Sequence, residues 1–251
     1  MRIQDTKRAA AIHRNIMQEV EAFIAPGLTL LHLDEHIKKR IEQCGGEPGF
    51  LGYKGYPATS CLSVNDVAVH GIPNEYELKD GDIIDVDFGV RVNGWNVDAA
   101  RTIYVGSQSE KPELVTLTEM MCHAIIEQVR GGASIADLAD CGQEFAQKHS
   151  LNIMTQYCGH GIGKTIHQDP MICHGYNENL TELAQNLIRG NYSRTKLKEG
   201  AIICIEPVCT FGVPRTRQES DGWTERSVDG SNVAHHENTL IVTKNGSEVI
   251  C

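Results

Sequence analysis

Apolar side chains recur every three or four positions at Ala9, Ile12, Ile16, Val20 and Phe23, the repeat that lays one buried stripe along a helix over residues 6–24. Pro26-Gly27 ends that helix. Thr29 is placed to cap a second helix with the stripe Leu33, Ile37 and Ile41, closed by Gly45-Gly46, which tolerate positive φ. The plan returns later as a helical segment over 113–129, a break at Arg130-Gly131-Gly132, and a helix capped by Ser134 that runs to about His149. Runs rich in β-branched residues, bounded by Gly, Asn and Asp, follow each helical hairpin at 83–92, 100–105, 202–211 and 239–243. The predicted class is α+β, with helices and strands arriving in two similar rounds.

The two rounds share letters as well as periodicity. GLTLLHLD at 27–34 parallels GASIADLA at 132–139, VHGIP at 69–73 parallels GHGIG at 159–163, and LKDGDIIDVD at 78–87 parallels LKEGAIICIE at 197–206. Three pairs in one order imply an internal duplication within a single domain of 1–251, its halves spanning about 1–106 and 107–251. Asp87 then corresponds to Glu206 and His70 to His160, so a pseudo-twofold axis would bring two carboxylates face to face.

Those acids sit in unusual company. In IIDVDFGV, strand alternation puts Asp85 and Asp87 on one face and Val86 and Phe88 on the other. Asp98 follows the turn Asn93-Gly94, on a return strand that could set it beside Asp87; alone, it would more often start a strand at the surface. Glu206 in IICIEPV and Glu237 in HHENTLIVT occupy equally apolar strands, where an ionised carboxylate needs a cation or a charged donor. Four acids pointing to one place would raise one another's pKa values or gather divalent metal. His160, between the glycines of CGHGIGKTIHQDP, completes a set of four carboxylates and one imidazole, a hard donor composition suited to a pair of Mn, Fe, Co or Zn ions.

Charge and composition narrow the alternatives. Twenty-three Lys and Arg against thirty-three Asp and Glu leave a formal charge of -10, which repels phosphate backbones and anionic headgroups, so nucleic acid is not an expected substrate. Nine cysteines, none in a CxxC pair, read as reduced thiols of a cytoplasmic protein. The first fifteen residues lack the apolar core of a signal peptide and no run of about 18 apolar residues occurs, so secretion and membrane insertion are not expected.

Taken with GYKGYPATSCLSVNDVAVHGIP, GDIIDVDFGV, CGHGIGKTIH, IEPV, DGW and the acid of HHENTLIV, the chain resembles the type I methionine aminopeptidases over nearly its whole length. That resemblance implies the pita-bread fold shared with prolidase, aminopeptidase P and creatinase. It implies two divalent ions (Co, Mn, Fe, Zn or Ni), with Asp87 chelating one, Asp98 and Glu237 bridging both, and His160 and Glu206 holding the other. It implies that a metal-activated water removes the initiator methionine from nascent chains, mainly when the next residue is small, with Glu206 shuttling a proton. His70 and His167 would serve substrate and transition state, while Tyr53, Tyr56, Cys61 and Trp223 would line the methionine pocket. A monomer with transient ribosome contact is expected. Glu206 and Glu237 are only 31 positions apart, which leaves no room for the helical insertion of type II enzymes, and a prolidase-like reading would call for a further amino-terminal domain where only the first helices precede GYKGYP. A metal-free peptide-binding module of this fold should lack some of the five ligands. Phe50 and Ile166 beside the pocket, Asn238 after Glu237, and the stretch 177–195, read as a surface loop in which TELAQNLI adds a helical turn, depart from the family pattern.

Overall fold

A computed structural model describes residues 2–106, 111–177 and 181–251. Helices α1 (Arg2–Phe23) and α2 (Leu30–Gln43) form the first hairpin, α3 (Glu113–Gln128) and α4 (Ile135–His149) the second. Both predicted caps operate. The Thr29 hydroxyl accepts from the His32 N–H at 3.2 Å, and Ser134 exchanges reciprocal bonds with Asp137 in a capping box.

The helices cover a long β-hairpin, Ile83–Val92 with Trp95–Tyr104, in unbroken antiparallel register from Ile83↔Tyr104 to Val92↔Trp95. Its two-residue turn, Asn93-Gly94, takes positive φ at both positions (49° and 78°), the conformation that matches strand twist. Pleating then divides the strand's residues. Ile84, Val86, Phe88 and Val90 are buried in a core with the stripes of α1 and α2, while Asp85 and Asp87 point to the opposite face.

The second round is built on Ile202–Ile205, which pairs with Asn238–Val242 on one side and with Gly159–Gly161 on the other. This strand is apolar on both faces because both are covered. Ile202 and Cys204 join the core of α1 and α2; Ile203 and Ile205 join the core of α3 and α4.

Three expectations need correction. The second strand begins at Trp95 rather than at residue 100, because the tight turn lets pairing start at once, with Val97 and Ala99 turned to the core and Asn96 and Asp98 on the other face. The run 202–211 is two strands, Ile202–Ile205 and Val208–Thr210, broken at Glu206-Pro207, where proline has no N–H for the ladder. The segment 177–195 is more than a loop with one extra turn: α5 (Glu182–Arg194) fills most of it, with the Thr181 hydroxyl accepting from the Ala184 N–H at 3.3 Å, while residues 178–180 lie outside the described residues.

Gly159 and Gly161 of GHGIG make room for neighbouring backbone. A Cβ on Gly159 would meet the Cys204 carbonyl oxygen at 2.2 Å, and one on Gly161 the Asp169 carbonyl oxygen at 2.4 Å, so these strands can cross closely only without side chains. Gly159→Ala is expected to lower stability by about 1–3 kcal/mol in a denaturant titration, the usual range for forced overpacking. Gly190→Ala, on an open part of α5 with nothing within 4 Å, should instead add up to about 1 kcal/mol. Equal midpoints for wild type and Gly159→Ala would contradict the packing role of that glycine.

Candidate metal centre

The hairpin, the Gly159–Gly161 strand and the end of Ile202–Ile205 converge on one cavity. Asp87 lies opposite Ala100 and Asp98 opposite Gly89, so the two aspartates are diagonal neighbours on one face of the hairpin. Glu237 joins Val233–His235 to Asn238–Val242, and its N–H donates to the Ala100 carbonyl at 2.9 Å, which ties it to the same hairpin. Oxygens of Asp87, Asp98 and Glu237 lie within 4.8 Å of one another. Donor atoms of His160, Cys204 and Glu237 form a second group within the same limit, so Glu237 belongs to both. Across from it, His160 Nε2 is 3.3 Å from Glu206 Oε1.

All eleven residues singled out in the sequence reach this cavity: Asp87, Asp98, His160, Glu206 and Glu237 with His70, His167, Tyr53, Tyr56, Cys61 and Trp223. Phe50 lines it too, and Ile166 packs behind it with Phe50, Tyr56 and Cys61. Asn238 does not line it: its amide donates to the Cys251 carbonyl at 3.0 Å.

Burial makes the acids poor carboxylates in the absence of a cation. It pushes Asp87 up to about 7, with Asp85 adding to the shift and His235 opposing it. Burial and then neighbouring acids raise Asp98, Glu206 and Glu237 well above the ordinary range. Asp87 Oδ1, Asp98 Oδ1, Glu206 Oε1 and Glu237 Oε1 have no hydrogen-bond partner among the described residues. Four mutually repelling acids, Asp98 and Glu237 buried and Asp87 and Glu206 half-buried, each with an orphaned oxygen, are strongly unfavourable by themselves and fit the needs of divalent cations.

The imidazoles complement that field. Burial pushes His160 down to about 4, and its Nδ1 lies 3.0 Å from the Gly161 carbonyl. With Nδ1–H donating there, Nε2 presents a lone pair towards Glu206 and the cavity. His70 is likewise pushed down to about 4 by burial, then by His235. It is held at φ 57°, a left-handed backbone rare for a non-glycine residue, with its ring edge-on to Trp223 at 6.2 Å. His167 is exposed at the rim, Nδ1 3.0 Å from the Tyr53 hydroxyl and its ring 4.3 Å from that of His160.

Other contributors were not evident from the sequence. His235 Nδ1 pairs with Asp85 Oδ2 at 3.2 Å; burial lowers its pKa, but Asp85 outweighs this and raises it to about 9. His174 Nε2 accepts from the Glu206 N–H at 3.2 Å and so orients that residue's backbone. Tyr157 closes one wall. The parity of Asp85 with Asp87 hinted at the first, whereas nothing local marked His174.

The sequence matches the profile of metallopeptidase family M24 over residues 4–244. The chain belongs to this family of metal-dependent peptidases. Within it, the chain is 34% identical to the methionine aminopeptidase of Clostridium perfringens, over 97% of this chain and 93% of that protein. It is 36% identical to methionine aminopeptidase 1 of Mycobacterium tuberculosis, over 96% and 89%. The crystal structure of methionine aminopeptidase from Thermotoga maritima superposes with a TM-score of 0.89 at 32% identity, covering 99% of this chain and 96% of that one. Prolidase from Pyrococcus furiosus, at 21% identity and a TM-score of 0.74, shows the shared pita-bread fold. No helix among the described residues is long and apolar enough to cross a membrane.

The raised acid pKa values set a sign. Their stabilising contribution is complete below the ordinary carboxylate range near 4 and is lost as pH rises, through about 7 for Asp87. Divalent ions bind the deprotonated forms and remove that loss. The rise in melting temperature on adding Mn or Co ions to chelator-treated protein should therefore grow between pH 5 and pH 8. A gain independent of pH would contradict the assignment.

Proposed function

We propose that this chain is a methionine aminopeptidase that removes the initiator methionine from nascent polypeptides, preferentially before a small second residue. The observation that carries the reading is that Glu237 is shared by two groups of donor atoms, one with Asp87 and Asp98 and one with His160 and Cys204, while His160 Nε2 lies 3.3 Å from Glu206 Oε1. In this reading Asp87, Asp98, His160, Glu206 and Glu237 would hold two divalent ions, Asp87 serving one, His160 and Glu206 the other, and Asp98 and Glu237 contributing to both. The pair is drawn from Co, Mn, Fe, Zn or Ni. The catalytic unit is a single domain over 1–251 with pseudo-equivalent halves 1–106 and 107–251, of which 107–110 lie outside the described residues. The protein works as a cytoplasmic monomer that meets the ribosome transiently.

Bound divalent ions supply Lewis acidity, lowering the pKa of water and polarising the scissile carbonyl. The residues do the rest. Glu206, its pKa raised by burial, is poised to take a proton and deliver it to the departing amine. His70 is neutral near pH 7 and aimed by its constrained backbone, so it can hydrogen-bond the scissile amide; His167, positioned by Tyr53, faces the developing oxyanion. The methionine side chain is received by Tyr53, Tyr56, Cys61 and Trp223. The Tyr56 hydroxyl is spent on the Ser60 and Gly71 carbonyls at 2.9 and 3.2 Å, which turns the ring edge-on to Trp223 at 5.1 Å and leaves an apolar wall suited to a thioether. Phe50 and Ile166 narrow the same wall.

The protein should release methionine from Met-Ala-Ser in a chelator-sensitive reaction, and Asp98→Asn should remain folded with impaired metal binding and little hydrolysis; full turnover by Asp98→Asn in metal-defined buffer would refute the assignment. His70→Ala should keep its metal content while kcat falls by about 10²–10³, the scale of losing one transition-state donor. A change confined to KM would give His70 a binding role instead.

A further inference from the structure

Strand alternation sends His235 and Glu237 into the cavity just described and His236 to the opposite face, against α3. There it meets Glu119 and His123, which are four residues apart and therefore on one face of that helix. We propose that Glu119, His123 and His236 form a separate binding site for a zinc-class divalent ion. Donor atoms of the three lie within 4.8 Å of one another, and the rings of His123 and His236 are 5.5 Å apart. His236 is only 5% exposed, yet its Nε2 has no hydrogen-bond partner among the described residues. A buried ring nitrogen without a partner is unfavourable unless something occupies it.

The donor set identifies the ligand class. Two imidazoles and one carboxylate suit zinc and its neighbours, which take nitrogen donors in tetrahedral geometry, whereas magnesium and calcium call for oxygen. Tetrahedral coordination needs donors about 3.4 Å apart, a closure that the exposed His123 can make by side-chain rotation. Glu119 and His236 line a cavity of about 290 Å³ together with Glu21, which gives an ion a path to the site. Three cations stand nearby, of which His235 is paired with Asp85 at 3.2 Å on the opposite face. Arg101 is committed to the Ala100 and Glu237 carbonyls, and Lys111 Nζ holds Glu119 at 3.2 Å in an ion pair whose lysine is 58% exposed, an interaction an incoming dication can displace at little cost. An ion at this site would clamp α3 to the segment that carries Glu237.

Equilibrium dialysis of the intact chain against buffered free zinc, with bound metal counted by elemental analysis, tests the proposal. His123→Ala and Glu119→Gln should each bind one equivalent fewer than wild type. The same single equivalent should be lost when His123→Ala is placed in the Asp98→Asn background, showing that the ion is not one of those held by the acids of the cavity. Methionine release by His123→Ala, assayed without added zinc, should match wild type. Wild-type zinc counts in both single variants, or a deficit that disappears in the Asp98→Asn background, would overturn the proposal.

Discussion

Repulsion among four carboxyl groups confined to one desolvated cavity is the constraint on which the architecture turns. Asp87, Asp98, Glu206 and Glu237 come from four places in the chain, and each leaves an oxygen without a hydrogen-bond partner among the described residues. Hydrophobic packing must hold them together against their own field. The apolar stripes of α1 and α2 lock one face of the hairpin, and Ile202–Ile205, buried on both faces, joins that core to the core of α3 and α4. A scaffold rigid enough to keep acids in such proximity is also one that presents cations with preformed ligands.

The same constraint explains the neighbours of the acids. His160 turns Nδ1 to a backbone carbonyl and keeps Nε2 for the cavity, while His174 fixes the Glu206 backbone and His235 partly neutralises Asp85. Glycines 159 and 161 bring the strand of His160 against its neighbours at distances a Cβ would forbid. Around this floor of acids the walls are largely aromatic and apolar, with Phe50, Tyr53, Tyr56, Val69 and Trp223 among the lining residues.

Much of this was legible in the sequence because its signals are local. Thr29 and Ser134 announced the helix starts, Asn93-Gly94 announced the hairpin, and the repeated LKxG strings drew attention to Asp87 and Glu206, which line one cavity. The misread features depend on tertiary contacts. The strand from Trp95 does alternate, with Val97 and Ala99 turned to the core, but its other face carries Asn96 and Asp98, polar residues that usually mark a surface turn; here they are enclosed, Asn96 donating to the Gly163 carbonyl at 2.9 Å. His174 and Tyr157 carried no local mark, since what makes them part of the site is the backbone that folds back over them.

The most direct measurement is anomalous X-ray diffraction from crystals grown with a divalent transition metal and recorded at its absorption edge. Two adjacent peaks, one contacted by Asp87, both by Asp98 and Glu237, and the other by His160 and Glu206, are the expected result. Full soaking that left these oxygens free of metal, the acids bonded to one another as protonated pairs, would contradict the account.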